Sequence, residues 1–320
     1  MAINYRVQEN GETVHFETGA SVTLTSNGSN VQTELENTQN SLKKIPSPNL
    51  LINTDFTNPV NQRRATTLTV DKYFIDRWYK ISGVPTALTI SSTYGLNIKF
   101  LSIGQYIEFP NSVGKTISAS AKFCDGEGKE LVITLTDTMT SSGISNGCFA
   151  LNPDYNGVTG TLHFLIKNFL PPSTWGFGTN GLYLLWAKVE VSDVPTAYSY
   201  PLYADELLRC QRYYLRYSSD NGAVLYPSMS YYQTEIVVPI YPPVEMRILP
   251  TVTYSGSPWF ANQNGNGGTG YTVSSFSTSK QVPGQFTLNA TVNKAVTGYA
   301  QWNLIISGNQ YMDFDAEYYA

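Results

Sequence analysis

The chain has 320 residues, of which only 14% are charged, and carries a formal net charge of −4 with a pI near 5.3. That length allows about two domains with apolar cores, and the 23 tyrosines and the many polar turn residues favour strands over helices. The acidic balance argues against a nucleic-acid partner, and no stretch approaches the ~18 apolar residues of a membrane span, so we predict no membrane insertion.

The N-terminal part predicts a small β-arm followed by a short helix. Residues 1–29 contain brief alternating runs broken by glycines, and residues 30–46 predict a helix that ends at two prolines. An isolated helix of this length is marginal in water, so we expect it to pack against another part of the assembly. Five residues follow one another at spacings of four and three, as in a coiled-coil seam: Val31, Leu35, Thr38, Leu42 and Ile45.

The next region, residues 47–200, predicts an antiparallel β-sandwich or jelly roll. Short runs with one apolar face recur, separated by Gly, Asn and Ser turns. These runs place the following side chains on single strand faces: Leu96, Ile98 and Phe100; Ile117, Ala119, Ala121 and Phe123; Leu131, Ile133 and Leu135; Tyr183, Leu185, Ala187, Val189 and Val191.

Residues 201–217 predict a connecting helix, because apolar side chains in ADELLRCQRYYLRY recur three or four positions apart. Residues 218–320 return to strand patterns and predict a second, C-terminal β-sandwich. Its long irregular segment is SGSPWFANQNGNGGTG, residues 255–270, whose glycines and proline predict a loop. The fold class is therefore all-β, with antiparallel domains in series after the arm and the helix.

Two features argue against a metal or disulfide framework. The cysteines are three, Cys124, Cys148 and Cys210, without C-x-x-C spacing, so we interpret them as buried free thiols. The two histidines of the chain are too few for a histidine-based metal site. We predict no metal and no cofactor.

One motif resembles a catalytic site. GISNG, residues 143–147, matches G-x-S-x-G, and Asp154 and His163 follow in the order of an α/β-hydrolase triad. A nucleophile elbow needs a buried strand before the serine and a helix after it, whereas polar residues precede Ser145 and CFALNPDYNG follows. We therefore predict no catalytic residues.

Two other patterns are equally ambiguous. GFGTNG, residues 176–181, spells G-x-G-x-x-G, but a strand pattern follows it where dinucleotide binding requires a helix. A carboxylate pair for glycoside hydrolysis could come from anywhere in the chain, and turn residues in solvent are the better interpretation of the acidic candidates Asp125, Glu127, Asp137 and Asp154.

Aromatic and amide side chains are the remaining candidates for ligand contact. Tyr and Trp offer flat faces for stacking on sugar rings, and Asn and Gln can pair with hydroxyl groups as both donor and acceptor. The alternative is that these aromatics simply pack in a core or a subunit interface. The candidate ligand-binding residues are Trp259, Phe260, Asn262, Gln263, Asn264, Tyr231 and Tyr232.

Four segments together resemble tail-fibre and receptor-binding proteins of bacteriophages and prophages. NLLINTDF (49–56) with YFIDRWYK (73–80) is similar to the opening "NLLINGDF…YxADRW" of that family. LLWAKVEVSDVPTAYSYPLYADELLRCQRYYLR (184–216) is similar to its "AQLE…T…ELxxCQRYY" segment. VPIYPPVEMRILPTVTYS (238–255) and the terminal FDAEYYA resemble its "FPxxMRxxPTVT" and "DAEL" elements.

The resemblance implies a homotrimeric fibre tip located at the end of a virion tail and assembled in the cytoplasm of the bacterial host. Residues 1–29 would attach to a tail or baseplate protein, residues 47–200 would form a carbohydrate-binding-module-like jelly roll, and residues 218–320 would form the receptor-binding tip. Three copies of the helix could bury its seam together. The expected partner is a glycan or a protein on the bacterial surface, bound without catalysis. A tail-associated polysaccharide depolymerase or esterase, and a structural baseplate or spacer subunit, are the alternatives.

Overall fold

The structure is a computed structural model, which describes residues 6–9, 12–15, 31–42, 45–153, 158–167, 169, 175, 181–219, 223–262, 270–296, 301–306 and 308–318. The predicted all-β class is confirmed, because the strands of these ranges pair antiparallel in several sheets and only two short helices accompany them. Within these ranges, neither helix has the length and apolar character needed to cross a membrane.

The N-terminal part contains one hairpin and one helix. Strands β1 (Arg6–Glu9) and β2 (Glu12–His15) pair with each other, and helix α1 spans Val31–Leu42. The helix is shorter than the predicted 30–46, and Ile45 lies in a bend beyond its end. Leu35 is 52% exposed and Ile45 60% exposed, so neither belongs to the apolar cores of the β units described below. The side chains of Val31 and Leu42 lie outside the described residues.

The first β unit is a sandwich of two antiparallel sheets. Its strands are β3 (Tyr73–Ile75), β4 (Trp78–Gly83), β5 (Ile90–Ser91), β6 (Gly95–Asn97), β7 (Leu101–Glu108), β8 (Thr116–Asp125), β9 (Glu130–Thr138), β10 (Ile144–Asn146), β11 (Phe149–Pro153), β12 (Thr161–Ile166) and β13 (Leu182–Val191). One sheet has the order β10-β11-β12-β7-β4-β3 and the other β5-β6-β13-β8-β9. A single apolar core, including Phe123, Phe164 and Trp78, lies between them.

Two sequence-predicted strand faces are wrong in detail. A β-bulge between Leu184 and Trp186 shifts the alternation of β13, so Leu184 joins Ala187 in the core while Leu185 packs on the opposite face. A bulge adds one residue to a strand and reverses the side-chain phase beyond it. Phe100 is 73% exposed, because the chain turns there with a φ of 58°.

Helix α2 (Tyr203–Gln211) connects the two β units. It buries Glu206 and Cys210, and it ends earlier than the predicted 217, since strand β14 begins at Tyr214. Cys124 is also buried, while Cys148 is half-buried. Burial raises the pKa of the Cys124 thiol to about 11, so it is protonated at neutral pH, in line with the interpretation as a buried thiol.

The second β unit combines a closed barrel with a three-stranded sheet. Its strands are β14 (Tyr214–Ser219), β15 (Ala223–Ile240), β16 (Thr251–Tyr254), β17 (Trp259–Asn262), β18 (Tyr271–Val282), β19 (Gln285–Val296), β20 (Gln301–Ile306) and β21 (Gln310–Asp315). The barrel order is β15-β19-β18-β17-β20, and the sheet order is β14-β21-β16. The sheet packs on the barrel through one core that includes Phe286 and Phe314.

The barrel closes because β15 pairs with two neighbours in succession. Its first part pairs with β20 and its last part with β19, and each pairing contains one register shift, at Val224/Pro227 and at Gln233/Glu235 respectively. Such irregularities bend a strand and increase its twist, which allows a long strand to pass from one neighbour to another. Pro227, which cannot donate a ladder hydrogen bond, sits at one of them.

Candidate functional site

The predicted aromatic loop proves to be a strand. Trp259 and Phe260 lie in β17, where Phe260 points into the barrel core with no exposed surface and Trp259 remains 37% exposed. The loop prediction was wrong because glycines and a proline flank this short strand and because one of its two partner strands, β20, begins only at Gln301. Phe260 is therefore a core residue, and Trp259 alone of this pair presents a face to solvent.

The remaining candidate residues are only partly described. Tyr231 and Tyr232 belong to the backbone of β15, and Asn262 is the last residue of β17. Their side chains, together with Gln263 and Asn264, lie outside the described residues. These residues therefore stay predictions.

The serine motif has the wrong surroundings for a nucleophile elbow. Ser145 lies exposed in β10, which a tight turn joins to β11 instead of a helix. His163 is on β12, with β11 between them, so their backbones are about 10 Å apart at ordinary strand spacing. Asp154 lies outside the described residues. This arrangement brings no serine–histidine pair together.

His163 is instead part of an aromatic stack on the outer face of the six-stranded sheet. Its ring lies parallel to Tyr106 at 4.4 Å and to Tyr79 at 5.7 Å between centroids, and the Tyr79 hydroxyl hydrogen-bonds to Nε2. Burial lowers the pKa of His163 to about 3, so the imidazole is neutral at physiological pH.

Of the acidic residues considered for glycoside hydrolysis, Asp125 is buried at the end of β8, in the turn that leads to β9. Its Oδ1 accepts hydrogen bonds from the backbone N–H groups of Glu127 at 3.0 Å and Lys129 at 2.9 Å. Asp125 therefore closes a turn. Among the described residues, no group of three or more His, Cys, Asp and Glu side chains is arranged to hold a metal ion.

A buried ionic cluster joins the two β units, and we call it the junction cluster: Arg63, Asp76, Arg77, Asp315 and Glu317. Glu317 accepts hydrogen bonds from the Arg77 guanidinium and, at 3.2 Å, from the Arg77 backbone N–H. Arg63 lies 3.2 Å from Asp315 and 3.4 Å from Glu317. Arg77 is completely buried and adopts a φ of 73°, a backbone conformation that its surroundings must hold in place.

Aromatic rings and further hydrogen bonds surround this cluster. The Arg77 guanidinium lies 3.5 Å from the centroid of Tyr213, and that of Arg63 lies 3.8 Å from the centroid of Tyr214. Arg247 donates to the backbone carbonyls of Ala316 at 2.7 Å and Glu317 at 2.8 Å. Apart from Arg63, the cluster residues lie in segments quoted for the family resemblance, and in this chain they join two β units.

The charges of the junction cluster nearly balance. Two guanidinium groups face three carboxyl groups, and burial raises the pKa of Asp76 from 3.8 to about 7, although nearby Arg63 opposes that rise. A protonated Asp76 leaves two positive and two negative charges. Pairing offsets part of the cost of burying these charges, and the pairs link the two β units, so the cluster forms a structural junction.

A shallow polar pocket lies between the loop that follows Asn53 and the start of α2. It encloses about 20 Å³ and is lined by Asn53, Thr54, Asp55, Asn58, Val60, Pro201, Tyr203 and Glu206. Next to the pocket, the Tyr198 hydroxyl shares a hydrogen bond with Thr54 Oγ1 at 2.9 Å. The Tyr198 ring stacks on Trp186 at 4.6 Å between ring centroids. The sequence reasoning missed this site, although the tyrosines on both sides of Pro201 in YSYPLY are a visible signal.

Comparisons with known proteins add little to this geometry. No protein-family model and no curated protein matches the chain. One solved structure that is similar is a cycloisomaltooligosaccharide glucanotransferase from Paenibacillus sp., complexed with cycloisomaltoheptaose, at 6% identity and a TM-score of 0.17. The match covers 89% of this chain and 50% of the other, so this chain spans about half the length of that protein. A TM-score this low carries no argument about fold or function.

Proposed function

We propose that this chain is a receptor-binding protein of a bacteriophage or prophage tail fibre. It attaches the particle to the bacterial surface as a homotrimer, through carbohydrate, and without a catalytic step. Residues 1–29 bind a tail or baseplate protein, and the β units point toward the host. The protein is located at the virion tail tip after assembly in the host cytoplasm.

The observation that carries this proposal is the exposed seam of α1. Leu35 on the helix is 52% exposed, and Ile45 in the bend beyond it is 60% exposed, and neither belongs to the apolar core of a β unit. Within the part of the chain that the structure describes, Leu35 of α1 lies outside both apolar cores, and 12 residues are short of the length at which an isolated helix is stable, so α1 requires a partner. Copies of the same helix are the simplest partner, because each supplies an identical seam.

The β units support the same function in a different way. Their order along the chain, with the hairpin and helix first, fits an attached base and a distal binding part. The junction cluster fixes the first β unit against the second, so any surface sites keep a constant spacing within one chain. Three chains on one fibre, and several fibres on one particle, would raise avidity by about 10² to 10⁴ over one weak site.

Sedimentation velocity of the full chain at micromolar concentration tests the assembly. We expect a single species with the mass of three chains, and a species of one chain would contradict the proposal. A fluorescent fusion of the full chain tests adsorption, and we expect it to label host cells.

A third assay separates this proposal from the depolymerase alternative. Host capsule or surface polysaccharide is incubated with the protein, and released oligosaccharide is measured. We expect binding of the polysaccharide without release of fragments. Release would favour the enzyme, and failure to label cells would favour a structural spacer subunit.

A further inference from the structure

We propose that the pocket formed by residues 53–60 and 201–206 binds a neutral pyranose sugar, with one hydroxyl in the pocket and the ring across its mouth. This assignment rests on the proposed function and gives it a site in the first β unit. It differs from the aromatic segment around Trp259, which the sequence favours and which lies on the barrel.

The size of the pocket defines what can enter it. About 20 Å³ is enough for one water molecule or one hydroxyl group, and too little for a whole ring or an apolar side chain. A ligand must therefore insert a single small polar substituent and keep its larger part at the surface. A sugar ring with hydroxyls on its edge has this shape.

The inner wall of the pocket is rigid because its polar atoms are already paired. Asn53 donates through Nδ2 to the carbonyls of Val60 and Asp76, each at 2.8 Å, and its Oδ1 accepts from the Val60 N–H at 2.7 Å. Glu206 accepts from the Asn53 backbone N–H and from Arg209. These bonds hold the walls in place without a ligand, which lowers the entropic cost of binding.

Two groups at the mouth are available to a ligand. Asp55 uses Oδ1 to accept from the backbone N–H of Thr57 at 3.0 Å and from its hydroxyl at 2.6 Å, which leaves Oδ2 for an incoming donor. Asn58 is exposed and lines the pocket, so its amide can both donate and accept. A carboxylate oxygen and an amide side by side match neighbouring hydroxyls of a sugar.

Tyrosine side chains beside the pocket provide a surface for the pyranose ring of the ligand. Tyr203 is 48% exposed and lines the pocket, and Tyr200, across Pro201, is 56% exposed. Tyr200 meets Tyr198 edge to face at 4.9 Å between centroids, which restricts its position. Half-exposed tyrosine rings beside a polar pocket favour the apolar C–H face of a pyranose.

The charge of the site excludes other ligand classes. Asp55 and Glu206 are the ionisable carboxyl groups of the lining, and the lining contains no Lys or Arg, so a phosphate or another anion would be repelled. Two carboxylates, one of them already paired with Arg209, make a poor cation site. A neutral polyhydroxyl ligand remains.

The test is saturation-transfer difference NMR of the full chain with free glucose, galactose, mannose and N-acetylglucosamine at millimolar concentration. We expect at least one sugar to bind, and Tyr203→Ala to weaken its binding about 3- to 10-fold through loss of stacking. Tyr203→Phe keeps the ring and serves as the matched variant, with binding within about 2-fold of the original chain.

Two further variants keep the test valid if Tyr203→Ala disturbs α2. Asp55→Asn retains an oxygen for the Thr57 turn but removes the charge, and Asn58→Ala changes an exposed side chain, so both should fold and both should weaken binding about 3- to 10-fold. Tyr241, directly after β15, has similar exposure, and Tyr241→Ala should have no effect.

The outcomes distinguish this inference from the proposed function. No binding of any of the four sugars, or equal binding by the original chain, Asp55→Asn and Asn58→Ala, would overturn the site. If the fusion still labels host cells in that case, the receptor-binding function stands and only this location is wrong. If the fusion labels no cells, the proposed function fails first.

Discussion

Substitution of Glu317 by Gln should separate the two β units. The Glu317 side chain has no exposed surface and accepts hydrogen bonds from the guanidinium groups of Arg77 and Arg63, which belong to the first unit. Glutamine has nearly the same size, but it is neutral and its NH₂ group would face donors. The substitution therefore removes the charge without creating a cavity.

The expected loss of stability in Glu317→Gln follows from the contacts that Arg63 and Arg77 retain after the substitution. Arg63 retains Asp315 at 3.2 Å, whereas Arg77 retains the Tyr106 carbonyl and the Tyr213 ring but no carboxylate partner among the described residues. Removal of one partner of a buried pair costs about 3 to 5 kcal/mol, and the surviving contacts place this case near about 3 kcal/mol. Against a typical total stability of about 5 to 15 kcal/mol, that loss is large.

Differential scanning calorimetry is the suitable assay, because it resolves units that unfold separately. We expect the original chain to show strong coupling between the β units and Glu317→Gln to shift one of them to lower temperature, giving two transitions. Glu235→Gln, an exposed residue of β15, is the matched control and should change stability by less than about 0.5 kcal/mol. A Glu317→Gln loss below about 1 kcal/mol without a change in the number of transitions would refute the reasoning.

Three other predictions concern assembly, pH and catalysis. Leu35→Asp places a charge in the helix seam and should convert the expected trimer to single chains in sedimentation. Asn37→Asp, on the outer helix face, should leave the trimer intact. Persistence of the trimer in Leu35→Asp would show that α1 does not assemble the chains. Burial lowers the pKa of His163 from 6.5 to about 3, so the contribution of His163 to stability is complete above pH 6.5 and declines as pH falls toward 3. Burial raises the pKa of Asp76 from 3.8 to about 7, so the contribution of Asp76 is complete below pH 3.8 and declines as pH rises toward 7. Between pH 4 and 6.5 the two contributions change the free energy of unfolding in opposite directions, each by about 1.4 kcal/mol per pH unit, and should cancel. Urea titrations of Asp76→Asn should therefore show stability rising with pH, and those of His163→Gln should show stability falling with pH. Stability profiles against pH that do not change in the variants would contradict both assignments. Ser145→Ala should label host cells as the original chain does, and loss of labelling would favour a role for that serine.

The fold was predictable where local patterns suffice. Alternating residues such as Ala119 and Phe123 correctly predicted a half-buried strand, because period two is a property of the strand itself. The same reasoning gave the wrong phase for Leu185, because a bulge depends on the neighbouring strands and leaves no clear local signal. It also gave the wrong state for Phe260, whose partners in the barrel follow it by many residues.

The polar pocket and the junction cluster were not predicted for a related reason. Arg63 and Glu317 are 254 positions apart, and Asn53 and Glu206 are 153 apart, so no spacing rule connects them. The quoted motif segments did contain most of these residues, but a motif does not reveal whether its charges serve a ligand or each other. Only burial and pairing in three dimensions distinguish those two roles.

Synthesis of the chain imposes an order on the closing of the junction. Arg77 precedes Glu317 by 240 positions, and Glu317 follows every strand in the part of the chain that the structure describes. At about 5 to 20 residues per second, a ribosome needs roughly 10 to 50 s between the two. During that interval the first unit holds a guanidinium that lacks its counter-ion, and a chain released too early would keep this defect. Incomplete products would therefore be open to proteolysis until the junction closes.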